Sequence, residues 1–554
     1  MSAYTFDRRT LLAGAGGAAL LLGSGALTAC SSDKAATKNS VAANTGVKLP
    51  TYVQYTGVTA DLPGTTAGVD AAFRNFPKDR PKSVPEVPGK GETLTAMANI
   101  YYPVPPGPDK NTYWAGLNKQ MGVDLQLQMV SNADYMQKFA TTIAGNELPD
   151  MMQMQVVANF PQLLEKRFTK LDEHLGGDAI KDYPNLANIP TRTWRSAIYN
   201  GGIYGIPIPR GAIGAYNFIR ADLFKAAGVS TAPKGFDELI AAGKALTNPK
   251  KRQWAYGLLS QPQGLLQKIN EEPNGWAEDG GKLTNRYETE QYKQSISDLI
   301  GIWKSGVMHP DSFSTSQPFK ALFNAGTVAI NAGDGYPGWT QYILDNASNP
   351  KFELGLMPVY SRDGSKLAPW MLGSGVYSIT GIKQQSDPEK LKLILRVLNY
   401  LAAPFGTAEY FYRLYGQEGV DHTINSAGDP VFTKTGTTNT TLPIRYLADA
   451  PYTIYQPGRP KDADTQHSYQ ALEIPAGVNN PTVGLYSNTS ATNNATIDKN
   501  FTDGVADVIQ GRKPLSTLDD LISKWRKGGG DDMRKEYQQQ LQAGGPSATA
   551  TPAG

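Results

Sequence analysis

A single cysteine, Cys30, stands in a chain of 554 residues. One thiol excludes an intrachain disulfide framework and any zinc or iron–sulfur site built from several cysteines. Histidine is nearly as scarce. His174, His309, His422 and His467 are too widely spaced for two of them to hold a metal from one helix face. No excess of one charge exists either: 53 Lys and Arg face 50 Asp and Glu, a net charge of +3. Nucleic acid calls for a concentrated basic surface and is not an expected partner. Beyond the first thirty positions no apolar run reaches 18 residues, so no membrane-spanning helix is expected in the body. Also missing are the Gly-x-Ser-x-Gly elbow, His-Glu-x-x-His and the Gly-x4-Gly-Lys-Ser/Thr phosphate loop. What is present is 40% hydrophobic residues, enough for a sizeable core. The length suits two or three domains or one large bilobal unit.

The N-terminus reads as an address. Arg8-Arg9 precedes an apolar stretch from Leu11 to Leu27, which ends in Leu27-Thr28-Ala29-Cys30. This is the order of charged region, apolar region and small-residue cleavage site found in secretory signals. The Leu-Thr-Ala-Cys run resembles a bacterial lipobox, which implies removal of residues 1–29 and a diacylglycerol on the Cys30 sulfur. The twin arginines resemble a Tat-type signal, with Asp7 where Ser or Thr is usual; Sec export is the alternative. An exported protein anchored by lipid to the outer face of the cytoplasmic membrane follows from this. Residues 30–50, rich in Ser, Ala, Lys, Asn and Thr, read as a solvated tether, and 543–554 as a disordered tail.

The body alternates strands and helices. Thr93–Ala98 predicts a strand that the proline-rich run after Tyr101-Tyr102 ends. A helix over Asn111–Met121, a strand over Val123–Val130, a helix over Asp134–Ala144 and a strand over Met151–Val157 follow. Later helices are predicted over Arg220–Ala227, 231–246, Tyr287–Ser305, Phe319–Asn324, Pro388–Leu401, Phe405–Tyr415, Leu515–Lys527 and Asp531–Leu541. Strands are predicted over Thr327–Asn331 and Met371–Thr380. Such alternation favours an α/β architecture with helices on both sheet faces. Residues 51–90, punctuated by Pro and Gly, predict an extended strap over the surface.

Several segments match one family pattern in order: Asn146-Glu-Leu-Pro-Asp150, Gly202–Pro207, Ile219–Val229 with Pro233 and Phe236–Leu239, Phe323–Ile330, Pro388–Leu401 and Gly416–Asp421. Together they resemble the family-1 extracellular solute-binding proteins of carbohydrate ABC importers. The resemblance implies a periplasmic-binding-protein-like fold, two α/β lobes joined by extended hinge crossings with a ligand cleft between. It places lobe 1 at 51–210, lobe 2 at 211–370 and a return to lobe 1 at 371–403. The lobe of the helical part at 404–542 is left open. Tyr204–Pro209 looks like the first crossing and Leu356–Trp370 the return. A monomer is expected, with two permease subunits and a cytoplasmic ATPase as implied partners. Some relatives carry a calcium loop where this chain has Thr247–Gly257. Its three consecutive basic residues, Lys250-Lys251-Arg252, replace the oxygen ligands calcium needs, so neither metal nor cofactor is carried over.

A sugar presents apolar faces and a rim of hydroxyls, met by aromatic rings and a few polar groups. Asp334, Tyr336 and Trp339 cluster beyond a predicted strand's carboxyl end, where open α/β sheets bind ligands. Tyr101 and Tyr102 end the first strand. Gln153 and Gln155 alternate with methionines, Trp276 lies in a polar stretch and Trp370 flanks the return crossing. These nine are the predicted ligand contacts, each against the alternative of simple packing. Trp114 is a further possibility. Trp303 and Trp525 read as core, and Trp194 and Trp254 are unassigned. Arg210, beside the first crossing, is the candidate for a uronic acid's carboxylate. The competing classes are a binder of peptides or another polar solute with the same fold, a glycoside hydrolase, and a surface scaffold without a small ligand.

Overall fold

In the computed structural model, residues 39–314 and 318–543 are described. The signal, Cys30 and residues 544–554 lie outside them. Nine strands build the two main sheets. They are β1 (Glu92–Ile100), β2 (Val123–Ser131), β3 (Met151–Gln153), β4 (Ile206–Pro209), β5 (Ala215–Arg220), β6 (Trp254–Tyr256), β7 (Val328–Gly335), β8 (Leu354–Leu356) and β9 (Val376–Ile382).

The first sheet runs β2-β1-β3-β9-β4. Pairings of β1 with β2 and β3 are parallel, and β9 runs antiparallel to β3 and β4. Position in the sheet explains the sequence pattern. At the edge, β2 alternates buried and exposed residues, whereas β1 beside it is buried on both faces from Ala96 onward. The connecting helix Thr112–Met121 starts where the Asn111 side chain accepts the Trp114 N–H at 3.1 Å. It stops at Gly122, whose left-handed φ of 65° a side chain would resist. Leu117, Leu125, Leu171, Trp194, Ile394 and Leu398 meet in this lobe's core.

The second sheet runs β8-β5-β7-β6. Helices Gly235–Ala245, Ser260–Ile269 and Glu290–Lys304 supply its core with Leu239, Leu265, Leu299 and their neighbours. The chain leaves the first sheet after β4 and enters the second at β5. Ile206–Pro209 is therefore a buried strand, residues 210–214 make the first crossing between sheets, and residues 357–375, between β8 and β9, make the return. Pro207 and Pro209 are tolerated because β4 is an edge strand, where a missing N–H breaks no second ladder.

The C-terminal part divides. Leu442, Ile444 and Leu447 join the first core, and Phe501, Val505, Leu518 and Trp525 join the second. Helices Pro460–Glu473 and Asn488–Ile509 were not anticipated. The latter opens on polar, weakly helix-forming residues and buries a side chain only from Phe501 onward. The strap is more than a surface feature: Ala72–Phe73 pairs with Ile454–Tyr455, and Phe73 and Phe76 pack on Phe405. Nor is all of 30–50 a free tether. Ser40 caps a short helix at Val41–Thr45. Asn39 and Asn44 side-chain oxygens accept the N–H groups of Asn200 and Gly201 at 3.0 and 2.9 Å. The polar residues that suggest solvation instead dock this segment through its amides.

Candidate functional site

At the carboxyl end of β1 the chain presents a tyrosine platform. Tyr101 is 51% exposed and Tyr102 more so. The Tyr101 ring lies 5.8 Å from that of Tyr446, which lies 5.0 Å from Tyr377 on β9. The Tyr101 and Tyr377 hydroxyls share a hydrogen bond of 2.6 Å. Beneath them the buried Asn99 amide donates to Tyr377 Oη and to Asn132 Oδ1, both at 3.0 Å. Burial, with the Tyr377 hydroxyl adding to it, raises the Tyr101 phenol above its usual value, which keeps that ring uncharged.

Cations edge this platform. Arg210, the first residue of the crossing, stacks 4.9 Å over Tyr377. The buried Asp449 receives Arg413 at 2.9 Å, Arg445 at 3.2 Å and Arg210 at 3.5 Å. Burial works to raise the Asp449 carboxyl, but the three guanidiniums outweigh it and hold the group below the ordinary range. Tyr336, beyond β7 of the other lobe, packs on Tyr452, three residues after Asp449, and Arg210 begins the crossing, so the cluster sits at the junction of the two lobes. Crossing, platform and cations thus converge between the lobes.

The other predicted residues are placed differently. Trp339 packs into the core with Phe218 and donates its Nε1–H to Asp462 at 2.8 Å. The expected loop there is the first turn of a helix, Gly338–Asp345. Asp334 is occupied internally: its Oδ2 accepts from Tyr342 Oη at 2.5 Å and from Asn331 at 3.2 Å. Tyr336 is buried against Tyr452, ring centroids 4.2 Å apart.

Trp276 lies on a hairpin, Trp276–Asp279 with Lys282–Asn285, rather than in a loop, and packs on Trp525 and Tyr537. The Trp370 face is covered by the Lys268 ammonium, 3.5 Å from the ring centroid. Gln153 uses its Oε1 to accept the Asn99 N–H where β3 ends, which extends the ladder by a side chain; Gln155 is half-buried beyond it. Trp114 donates to Leu125 O inside the first core. Of the nine, Tyr101 and Tyr102 offer open rings. Tyr377, Arg445, Tyr446 and Asp449 were missed; the last three follow residue 404, where local pattern gave no lobe. A separate open groove of 570 Å³ on the first lobe, by Thr95, Gln126, Gln128 and Glu147, has no aromatic lining.

Where the strap passes the crossing, Asp70 exchanges hydrogen bonds with Gln470. Its N–H donates to Gln470 Oε1 at 2.8 Å, and its Oδ2 accepts from Gln470 Nε2 at 2.9 Å. Burial pushes this carboxyl up to about 7, with Gln470 and Arg192 opposing. The neutral form is therefore the favoured one below about pH 7. Its contribution to stability is complete below the unfolded value near 3.8 and is lost as pH rises through about 7. Asp70→Asn should match the parent at pH 4 and exceed it by about 1–3 kcal/mol at pH 8.5 in urea unfolding. Equal pH profiles for the two proteins would contradict this placement of Asp70.

Two α/β lobes joined through residues 210–214 and 357–375, with a polar aromatic cluster at their junction, define a two-lobed binding protein. Residues 112–410 match the family of bacterial extracellular solute-binding proteins, and the chain belongs to it. The polygalacturonan/rhamnogalacturonan-binding protein YtcQ of Bacillus subtilis (strain 168) is 26% identical over 470 residues, covering 80% of this chain and 90% of that protein. Lipoprotein LipO of the same organism is 23% identical over 486 residues, 82% of this chain and 93% of its own length. Among solved structures, the HMO-binding solute-binding protein associated with an ABC transporter of Bifidobacterium longum infantis superposes with a TM-score of 0.60 at 15% identity. That match covers 82% of this chain and 99% of that one. The alginate-binding protein AlgQ2, in a structure without calcium, gives 0.57 at 16% identity, covering 82% and 98%. These likenesses show the fold. Among the described residues no His, Cys, Asp and Glu cluster is set to hold a metal, and no helix is long and apolar enough to cross a membrane.

Proposed function

We propose that this protein is the lipid-anchored receptor of an ABC importer, binding an oligosaccharide between its lobes and releasing it unchanged to a membrane permease. The observation that carries the reading is the platform of Tyr101, Tyr377 and Tyr446, half-open rings bordered by guanidinium donors. Apolar sugar faces stack on such rings while hydroxyls take the donors. The lipobox-like run ending at Cys30 and the likeness to a lipoprotein support the anchor, which keeps the receptor near its permease at raised effective concentration. The sugar-binding names of the relatives support the ligand class. Closure of the lobes about the two crossings, residues 210–214 and 357–375, is the expected response to ligand.

The test is a thermal-shift and calorimetry screen of the mature chain, residues 31–554, against mono- and oligosaccharides with peptides as controls. A saturable shift with one saccharide class, and no product on incubation, is the expected result. A shift with peptides alone would replace the sugar reading, and released product would make the protein a hydrolase. Tyr101→Ala should weaken the bound saccharide by about 1–2 kcal/mol, roughly 5- to 30-fold in Kd. Its melting temperature should stay nearly unchanged, because the ring is half-exposed. Unaltered affinity would remove Tyr101 from the site.

A further inference from the structure

Around Asp449 the guanidiniums outnumber the carboxylate they face. Arg413, Arg445 and Arg210 all address the one group. One negative charge offsets one positive, which leaves an excess of two. Arg413 is the inner partner: 6% of its side chain is exposed, and its Nη1 donates to Asp449 Oδ1 and Ala448 O. Arg445 and Arg210 are the outer ones, with 49% and 18% of their side chains exposed. The Arg210 contacts to Pro209 O, at 2.8 Å, and to Asp449 both run through Nη1, which leaves the rest of the planar fork for a ligand.

The excess lies at the junction of the lobes: Arg210 begins the first crossing, and Tyr452, three residues after Asp449, packs on Tyr336 of the other lobe with ring centroids 4.2 Å apart. Burial pushes the Tyr336 phenol of the other lobe up to about 12, and Arg210 and Arg445 are the groups that act most against it. Partly desolvated cations that share a single counter-charge are costly to hold. A neutral sugar would offset little of that cost, and a carboxylate would offset most of it through charge-assisted, bidentate hydrogen bonds.

We propose that the cleft selects a saccharide bearing a uronic acid, its carboxylate held by Arg210 and Arg445 while its ring lies on Tyr101, Tyr377 and Tyr446. The proposal rests on the oligosaccharide-receptor reading above and adds the charge of the ligand. Arg210 and Arg445 are its specificity-determining residues; Arg413 is a positioning residue that fixes Asp449.

Calorimetry of the mature chain tests it with trisaccharides of galacturonate, glucuronate and mannuronate, the methyl esters of each, and neutral galactotriose and maltotriose. One acid trisaccharide should bind at least about 10-fold tighter than its own methyl ester. Its affinity should fall with added salt while the ester's does not. Arg210→Gln and Arg445→Gln each leave two guanidiniums on Asp449, so both variants should fold. Each should lose about 10- to 100-fold toward the acid and less than about threefold toward the ester. Arg512→Gln, on an exposed pair with Asp507, should change neither.

Equal affinity for acid and ester, or equal losses toward both in the variants, would overturn the carboxylate assignment and leave the receptor reading standing. Binding of a neutral trisaccharide with no acid bound would do the same. No saccharide of either kind bound would overturn both. Should either variant fail to fold, the salt dependence of the unaltered chain for acid against ester decides alone.

Discussion

Trp339→Ala is expected to lower the stability of the protein by about 3–5 kcal/mol, the cost of emptying a buried aromatic site. Only 2% of Trp339 is exposed. Its ring lies 6.3 Å from Phe218, and its indole N–H donates to Asp462 across 123 positions of sequence. Removal leaves a cavity in the core behind β5 and takes a donor from Asp462, which also pairs with Arg459. Urea unfolding measures the loss directly, and saccharide affinity of the fraction still folded should change little. A stability loss below about 1 kcal/mol together with a clear loss of affinity would return Trp339 to the ligand site.

Asp449→Asn is the second large effect. The substitution keeps the shape and removes the one charge that three guanidiniums share. Arg413 is too enclosed to be rescued by water, and an uncompensated buried cation costs about 3–5 kcal/mol. The folded-state value of Asp449 is depressed, so its contribution is present above the unfolded carboxylate value and is lost as pH falls through the folded one. The difference between parent and variant should accordingly be largest near pH 7 and shrink in acid. Adding Arg413→Met to Asp449→Asn should restore part of the loss, because the charge left unpaired is gone. An unchanged unfolding midpoint at pH 7, or no recovery in the double variant, would contradict the shared-carboxylate arrangement.

Both effects show how far sequence carried. The helix Pro388–Leu401 coincides with its expected limits, because Asp387 caps it, proline opens it and its apolar residues recur at helical spacing. The strand at Val123 alternated visibly because it is an edge strand. The helix at 488 was invisible because its support comes from packing against Thr517–Trp525, not from its own residues. Of the candidate site, Tyr101, Tyr102 and Arg210 were legible from their place at a strand end and beside a crossing. Tyr377 lay on an expected strand, but nothing local told its outward face from its inward one. Tyr446, Arg445 and Asp449 come from a 3-10 turn at Pro443–Tyr446 and the residues after it, whose lobe is set by the burial of Leu442, Ile444 and Leu447.

By itself the sequence determined the α/β alternation, the helix caps and the family pattern, while the first crossing expected at Tyr204–Pro209 lies in the residues after it. Each is written in short runs of neighbouring residues by periodicity, proline, glycine and capping groups, the family pattern being several such runs in order. Only the tertiary structure decided which aromatic rings stay open. Trp276 reads as exposed beside its polar neighbours, yet it is closed by Trp525 and Tyr537, some 250 positions away. Trp370 is closed by the ammonium of Lys268. Whether a ring faces a ligand or a core depends on what packs against it, and those partners are brought there by the burial of other surfaces.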